Sequence, residues 1–384
     1  MDKKPTVYFV ASEMGAVHHG PAVYTRALWD LFHDGGNVDF HLIVLKSDIE
    51  HPRIHVPPTD SGKRRGFYQR LETHIKNSVP DDPTSFLLHV NAAHLISGAL
   101  AARYRTIVQI NDTEVCQHKI TWTGIRKHGL RRMIALQWRK MRERAVTANS
   151  TLVIGNSDFT TRKVRESYGI DEDKTFRVYK AVPLEPFLSQ FPESKGPDHL
   201  KLLFIGNNWQ RKGLEVLIEA VGILTQEHPQ LPIELDIYGN PSHADANKFR
   251  QLAITNGVND KIRFAGVLHR DDAPLAIARS GMLVLPSFEE ALGLVSIEAI
   301  ATGIPVVGSN VGGIPEVIDD RRLGTLVEVG NSHALAGAIF EQLHERSGDT
   351  EINFRKESSG RFAIRRLRQN IESVYQKYGV TSDR

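Results

Sequence analysis

The stretch "GMLVLPSFEEALGLVSIEAIATGIPVVGSNVGGIPE" (281–316) carries the densest pattern in the 384-residue chain. An apolar run ends at Pro286, a polar loop holding Glu289 and Glu290 follows, and "LVSIEAIAT" then takes up helical character. A second apolar run, "IPVVGS", leads into Gly312-Gly313 and Pro315, a tight turn ahead of another helix whose backbone could approach a ligand closely. Strand, loop, helix and strand in this order predict a parallel sheet with crossover helices. The helix should start near Leu292–Leu294, with Gly293 letting the chain pass close by and free N–H groups forming an anion site. Glu290 then lies before the helix and Glu298 inside it, where both carboxylates could accept hydrogen bonds from the hydroxyls of a sugar or ribose.

The same grammar extends both ways. "KLLFIGN" (201–207), "IELDIYGN", "IRFAGV" and "GTLVEV" read as further strands, and "GLEVLIEAVGILTQ" as a helix. Upstream, "TVYFVAS" (6–12), "DFHLIVL" (39–45), "SFLLHV" (85–90), "TIVQIN" (106–111), "TLVIGN" (151–156) and "FRVYKAV" (176–182) repeat the strand pattern. Between the halves, "SQFPESKGPDHL" (189–200) has Pro, Gly, Ser and charge without periodicity, and reads as a linker. Two doubly wound α/β domains are expected, with ligands at the carboxyl ends of their strands in a cleft between them.

Composition sets the class. The chain is 41% hydrophobic and 24% charged, which suits a soluble globular protein of two cores. Its single cysteine, Cys116, excludes an internal disulfide and suits a reducing compartment. The apolar run after "MDKK" is too short for a signal-peptide core, and no stretch is long enough to span a bilayer, so a cytoplasmic location is expected. Residues 1–190 hold 27 Lys and Arg against 20 Asp and Glu, a net +7, whereas residues 191–384 hold 21 against 25, a net −4. The halves should therefore meet different partners.

Candidate chemistry gathers at strand ends. In "FIGNNWQRKGLEVL" (204–217) a strand ends at Gly206, and Arg211 and Lys212 precede the helix opened by Gly213. Cations at a helix start oppose the macrodipole but suit a diphosphate. In the first half, "EMGAVHHGPAV" (13–23) places His18 and His19 in a loop, with Gly20 and Pro21 at the helix start, and lacks a GxGxxG fingerprint. "HVNAAH" (89–94) and "INDTE" (110–114) follow later strands, making Asn111 and Asp112 candidate polar contacts at a transferred group. There is no HExxH, CxxC or P-loop, and "DED" (171–173) follows a helix rather than a strand, so no metal is predicted. In 119–145, nine Lys and Arg accompany one acid, and Leu130, Met133, Ile134, Trp138 and Met141 keep helical spacing. That spacing predicts a core-facing stripe with a basic opposite face, either simply solvated or suited to anionic membrane lipid or a phosphorylated acceptor. No nucleic-acid module accompanies the charge.

Together these residues resemble glycosyltransferase family 4, retaining enzymes of the two-Rossmann GT-B architecture. The family's E-x7-E signature reads Glu290-ALGLVSI-Glu298, followed by "EAIATGIPVVGSNVGGIPEVI". "FIGNNWQRKGLEVLIEAV" is similar to the family's strand–loop–KG–helix segment, "NSTLVIGNSDFTTRKVRESYGI" to its end-of-domain stretch, and "RFAIRRLRQNIESVYQKYG" to its C-terminal helix. The adjacent Arg-Lys resembles the lipopolysaccharide-core glucosyltransferase branch. The resemblance implies a first, acceptor-binding domain over 1–188, a linker over 189–200, a nucleotide-sugar domain over 201–360, and a helix over 361–384 packing back on the first domain. It implies that Glu298 binds the nucleotide ribose and Glu290 the donor sugar. Arg211 and Lys212 would hold the diphosphate with the amides of Gly293, Leu294 and Val295, and backbone between Arg263 and Val267-Leu268 would read the base. Gly20, Asn207 and Tyr238 complete the implied donor-binding set, and Asn111 and Asp112 stand where members carry His-Asp. Asn207 replaces a common Arg, Lys180-Ala181 a common Asn-Gly, and Gly20 is one glycine where two are usual. The implied reaction moves a sugar from a nucleotide diphosphate, UDP being commonest, to an acceptor hydroxyl in cell-surface glycan or glycoconjugate synthesis. It needs no cofactor and no metal. A sugar-nucleotide hydrolase or epimerase of the same fold, or a non-catalytic sugar-nucleotide-binding scaffold, would carry the same donor residues.

Overall fold

A computed structural model describes residues 4–14, 20–34, 37–57, 66–111, 113–117, 130–190, 200–344 and 348–379. The chain divides into two units, Met1–Ala181 with Ile364–Arg384, and Val182–Ala363.

Unit 1 is built on a seven-stranded sheet, all of whose pairings are parallel. Its strands are β1 (Thr6–Val10), β2 (Asp39–Ile43), β3 (Ile54–His55), β4 (Leu87–Val90), β5 (Thr106–Ile110), β6 (Leu152–Gly155) and β7 (Thr175–Arg177), in the spatial order β3-β2-β1-β4-β5-β6-β7. Every residue of β4, β5 and β6 is buried, as expected of strands covered by helices on both faces. Alternation along β1 divides the core. Val7 and Phe9 pack with Trp29, Phe32, Leu367 and Tyr375 on one face, while Tyr8 and Val10 pack with Leu71, Ile75 and Leu100 on the other. The helix Ile364–Tyr378 belongs to this unit through Leu367, Ile371, Val374 and Tyr375. The two-residue β3, flanked by prolines in "HPRIHVPP", is too short to show a strand period in the sequence.

Unit 2 repeats the plan with β8 (Leu200–Ile205), β9 (Ile233–Tyr238), β10 (Ile262–Gly266), β11 (Met282–Leu285), β12 (Val306–Ser309) and β13 (Gly324–Val327). Their order, β10-β9-β8-β11-β12-β13, is that of a doubly wound dinucleotide-type sheet, with its reversal between β8 and β11. The ends of the unit are tied together: the Val182 N–H donates to the Phe362 carbonyl at 3.1 Å. Buried Arg355 donates to the carbonyls of Arg322 (2.5 Å) and Gly303 (3.1 Å), fastening the helix Asp349–Ser359.

Two expectations change. The division falls at Ala181/Val182, because Val182 pairs with Ala363 and the short helix Glu185–Leu188 belongs to unit 2. Of the expected linker 189–200, residues 191–199 lie outside the described residues. The stripe in the basic segment is also turned around. Helix Leu130–Asn149 buries Met133, Glu143, Val146 and Thr147, whereas Leu130, Ile134, Trp138 and Met141 are exposed. The inward arc is rotated away from the apolar line because Glu143 is needed inside, where Tyr168 donates to it at 2.9 Å. Residues 119–129 of that segment lie outside the described residues.

Tyr375 seals the core of unit 1. Its hydroxyl lies 2.7 Å from His89 Nδ1, both groups are fully buried, and burial lowers the His89 ring to about 3, so the contact joins neutral groups. His89 Nε2 has no partner. Tyr375→Phe would leave the ring without any hydrogen bond and should cost about 1–3 kcal/mol in the urea transition of unit 1. An unchanged midpoint would show that the hydroxyl contributes nothing.

Candidate functional sites in the two units

In unit 2 the loops leaving β8 and β11 lie side by side, because those two strands are neighbours at the reversal of the sheet. The first loop carries Asn207 to Gly213 and leads into the helix Leu214–Glu227. The second carries Pro286 to Gly293 and leads into the helix Leu294–Thr302. They are laced together. The Phe288 N–H donates to the Arg211 carbonyl at 2.9 Å, and Gly213, at φ +71°, lies so close to Pro286 that a Cβ would fall 1.9 Å from its carbonyl oxygen. The two charged side chains meet across this contact: Lys212 Nζ donates to the Glu290 carboxylate, and the side chains are only 15% and 12% exposed. Glu290 in turn lies against Gly293, the residue preceding the helix.

That helix start has the features of an anion site. Gly293 sits in the left-handed region (φ 86°) and supplies no side-chain cap, so the amides of the first turn, from Leu294 and Val295, depend on an outside partner. Ser287 and Ser296 are fully buried beside it in sequence, and neither hydroxyl has a hydrogen-bond partner. Sequence reasoning passed over both serines, because an isolated Ser in an apolar run gives no signal. Gly312 plays a different part from the one expected. A Cβ there would fall 1.7 Å from the Glu290 carbonyl oxygen, and the Gly313 N–H donates to that oxygen at 3.2 Å. The close approach of this turn is to the Glu290 loop itself.

Glu298 lies in the second turn of the helix. Burial pushes its carboxyl up to about 7, against a lowering pull from Arg270. The other donor-side residues fall into two groups. Asn207 Oδ1 accepts from the Asn240 N–H at 3.0 Å, tying the loops after β8 and β9. Arg263 donates from Nε to Asp236 at 2.7 Å and reaches the Tyr238 hydroxyl at 3.3 Å, while Lys201 lies 3.1 Å from the same carboxylate. Burial raises Asp236, but these hydrogen bonds outweigh it and hold the carboxyl below its usual range. The pairing of β10 with β9 shifts register between Phe264 and Gly266, just ahead of Val267 and Leu268.

Unit 1 holds a cavity of about 460 Å³ at the carboxyl ends of β1, β4 and β5. Ser12, Asn91, His94, Gln109 and Asn111 line it from those ends, Tyr68 from the helix Phe67–Ser78, and Arg139 and Glu143 from helix 130–149. Asn111 donates from Nδ2 to the Asn91 carbonyl at 2.5 Å. Its Oδ1 is buried without a hydrogen bond, His94 Nδ1 lies 3.6 Å from the Glu143 carboxylate, and buried Gln109 faces the Tyr24 hydroxyl. Such a cluster of buried, incompletely satisfied polar groups suits a polar ligand. Gln109 and Glu143 were not singled out in the sequence, since one lies in an apolar strand and the other in a basic helix. Asp112, His18 and His19 lie outside the described residues, and Gly20 opens the helix Gly20–Phe32. Among the described residues no three His, Cys, Asp or Glu side chains gather as a metal site requires.

The raised Glu298 carboxyl carries a stability signature. Its folded pKa of about 7 exceeds the ordinary 4.5, so the folded chain binds the extra proton between these values. The corresponding stability is full below the lower value and is lost as pH rises through the upper one. Glu298→Gln should remove this loss, so its melting temperature should gain on the parent between those two pH values and hold that gain above them. Parallel pH profiles for the two proteins would refute the assignment.

Comparison with known proteins bears on the fold and on the second unit. Residues 199–345 match the family described as glycosyl transferases group 1. A D-inositol 3-phosphate glycosyltransferase of Paenarthrobacter aurescens strain TC1 is 29% identical over 209 residues, covering 53% of this chain and 51% of that protein. The chain thus spans about half the length of the curated relatives it matches. A sucrose-phosphate synthase structure from Thermosynechococcus elongatus superposes with a TM-score of 0.73 at 20% identity, covering 97% of this chain and 99% of that one. HepE of Anabaena, in complex with UDP-glucose, gives 0.68 at 16% identity, covering 97% and 100%. The chain is therefore a two-domain protein of GT-B fold whose second unit carries a glycosyl transferases group 1 domain.

Proposed function

We propose that the chain is a retaining glycosyltransferase that moves a sugar from a nucleotide diphosphate, UDP in the first instance, to an acceptor hydroxyl. The observation that carries this reading is the Lys212–Glu290 pair set beside the uncapped helix start at Gly293, with Glu298 further along the same helix. A diphosphate at the helix start would meet the Leu294 and Val295 amides and draw Lys212 toward it, with Arg211 adjacent in the chain. Glu290, released from Lys212, would accept hydrogen bonds from the sugar hydroxyls, and Glu298 from the ribose. The bond between the anomeric carbon and the leaving phosphate oxygen breaks as the acceptor oxygen arrives on the same face, and the acceptor proton passes to that phosphate. Negative charge grows on the diphosphate, so fixed cations and amides there lower the barrier more than they strengthen ground-state binding. No enzymic nucleophile and no metal are required by this scheme.

The unit 1 cavity supports transfer over simple hydrolysis, because its polar lining suits a hydroxylated acceptor. Asn111 would take part there. A UDP-glucose complex in a protein of the same fold favours that class of donor.

Lys212→Ala should lower turnover on the order of a hundredfold or more, by comparison with loss of one oxyanion donor, while circular dichroism shows an intact fold. Near-normal rates in that variant would sink the proposal. Nucleotide diphosphates can be ranked by thermal shift, where a ligand at 100 times its dissociation constant adds about 2.7 kcal/mol. UDP should give the largest shift among them. With a UDP-sugar and a panel of acceptors, the product should keep the donor's anomeric configuration and form equally well in EDTA. Inversion, or a rate restored only by added Mg²⁺, would overturn those two parts of the scheme, and release of free sugar with every acceptor would favour a hydrolase.

A further inference from the structure

Helix Leu130–Asn149 presents an apolar line outward. Leu130, Ile134, Trp138 and Met141 are spaced by four, four and three residues, which places them on one side of an α-helix, and they are 54%, 55%, 47% and 65% exposed. Four large apolar side chains in one solvent-facing row exceed the scatter of single exposed residues normal for a monomer. The cations of the same helix bracket that row. By helical phase, exposed Arg131 falls on one flank and Lys140 and Arg144 on the other, Arg142 is held in the protein by Glu72 at 2.8 Å, and the helix's one acid, Glu143, faces inward and is buried. Arg142 also lies over the rings of Trp138 (5.5 Å) and Tyr68 (4.7 Å), bracing the tryptophan.

We infer that this face of unit 1 docks on an anionic lipid bilayer, with the helix lying in the plane of the interface. The occupant follows from charge and shape. A convex apolar ridge flanked on both sides by long basic side chains fits a surface that offers hydrocarbon at its centre and negative charge around it. The apolar residues enter the headgroup–acyl boundary while the flanking cations reach back to phosphates. A protein partner would need an apolar groove with acidic walls on both sides. Among the described residues no helix is long and apolar enough to cross a membrane, so the association would be peripheral. The inward side of the same helix contributes Arg139 and Glu143 to the unit 1 cavity. Docking would therefore hold that cavity next to the bilayer surface.

The inference stands apart from the transfer chemistry, since vesicle binding is read without turnover. The full chain should float with vesicles of phosphatidylcholine mixed with phosphatidylglycerol, and stay behind with phosphatidylcholine alone. Ile134→Asp and Met141→Asp should each weaken the binding at least about tenfold, the cost of losing one buried apolar side chain. Arg131→Glu combined with Arg144→Glu should weaken it further and flatten its salt dependence. All these positions are exposed, so melting temperatures should hold, and a parent-like melt certifies each variant. Absence of flotation, binding indifferent to phosphatidylglycerol, or variants that float like the parent would overturn the proposal. So would a parent dimer in sedimentation that Met141→Asp converts to monomer, because a second copy would then cover the ridge.

Discussion

Unit 2 is organised around one ion pair, Lys212 with Glu290, at the point where the sheet reverses its winding. Adjacent strands β8 and β11 deliver their loops to the same place, and backbone must pass backbone there at very short range. Gly213 against Pro286 and Gly312 against Glu290 allow it, since a side chain at either glycine would collide with a carbonyl. The pair is largely sheltered from water, so each charge depends on the other. That dependence links packing to function: the same closeness that locks the loops sets a cation and a carboxylate at one helix start.

Much of this was legible because the physics is local. Apolar runs of four to six residues separated by helical stretches give away a parallel sheet, and the described strands of unit 2 fall inside the runs read from the sequence within a residue or two. The placement of Glu290 before the helix and of Glu298 inside it was legible because seven intervening residues carry the chain from the loop into the second turn of a short helix. The meaning of Gly312 was not legible. A glycine before a helix suggests room for a ligand, and only the fold shows that the Glu290 carbonyl fills that room. Asn207 and Arg263 are similar cases. Both sit at strand ends or edges where ligand contacts are expected, and both side chains are engaged in holding the protein's own elements.

The misreading of helix 130–149 is the more instructive failure. Periodicity assigns the apolar line of an amphipathic helix to the core, and here the core side holds Glu143, with Arg139 and His94 close to its carboxylate. A helix that must line a polar cavity cannot turn its apolar face inward as well. Its inner arc is therefore set by the cavity, and its hydrophobic residues are left on the outside. Departures from the binary pattern are expected where a site overrides the core, and the two anomalies of this helix, a buried acid and an exposed apolar row, are one constraint seen from opposite sides. Met133, Val146 and Thr147 anchor the helix from its inner side, and of the outer row Trp138 also packs against the Tyr68 ring at 5.2 Å. The rest of the row has no such inward contact to explain it, and an outer surface is where the proposed bilayer contact would use it.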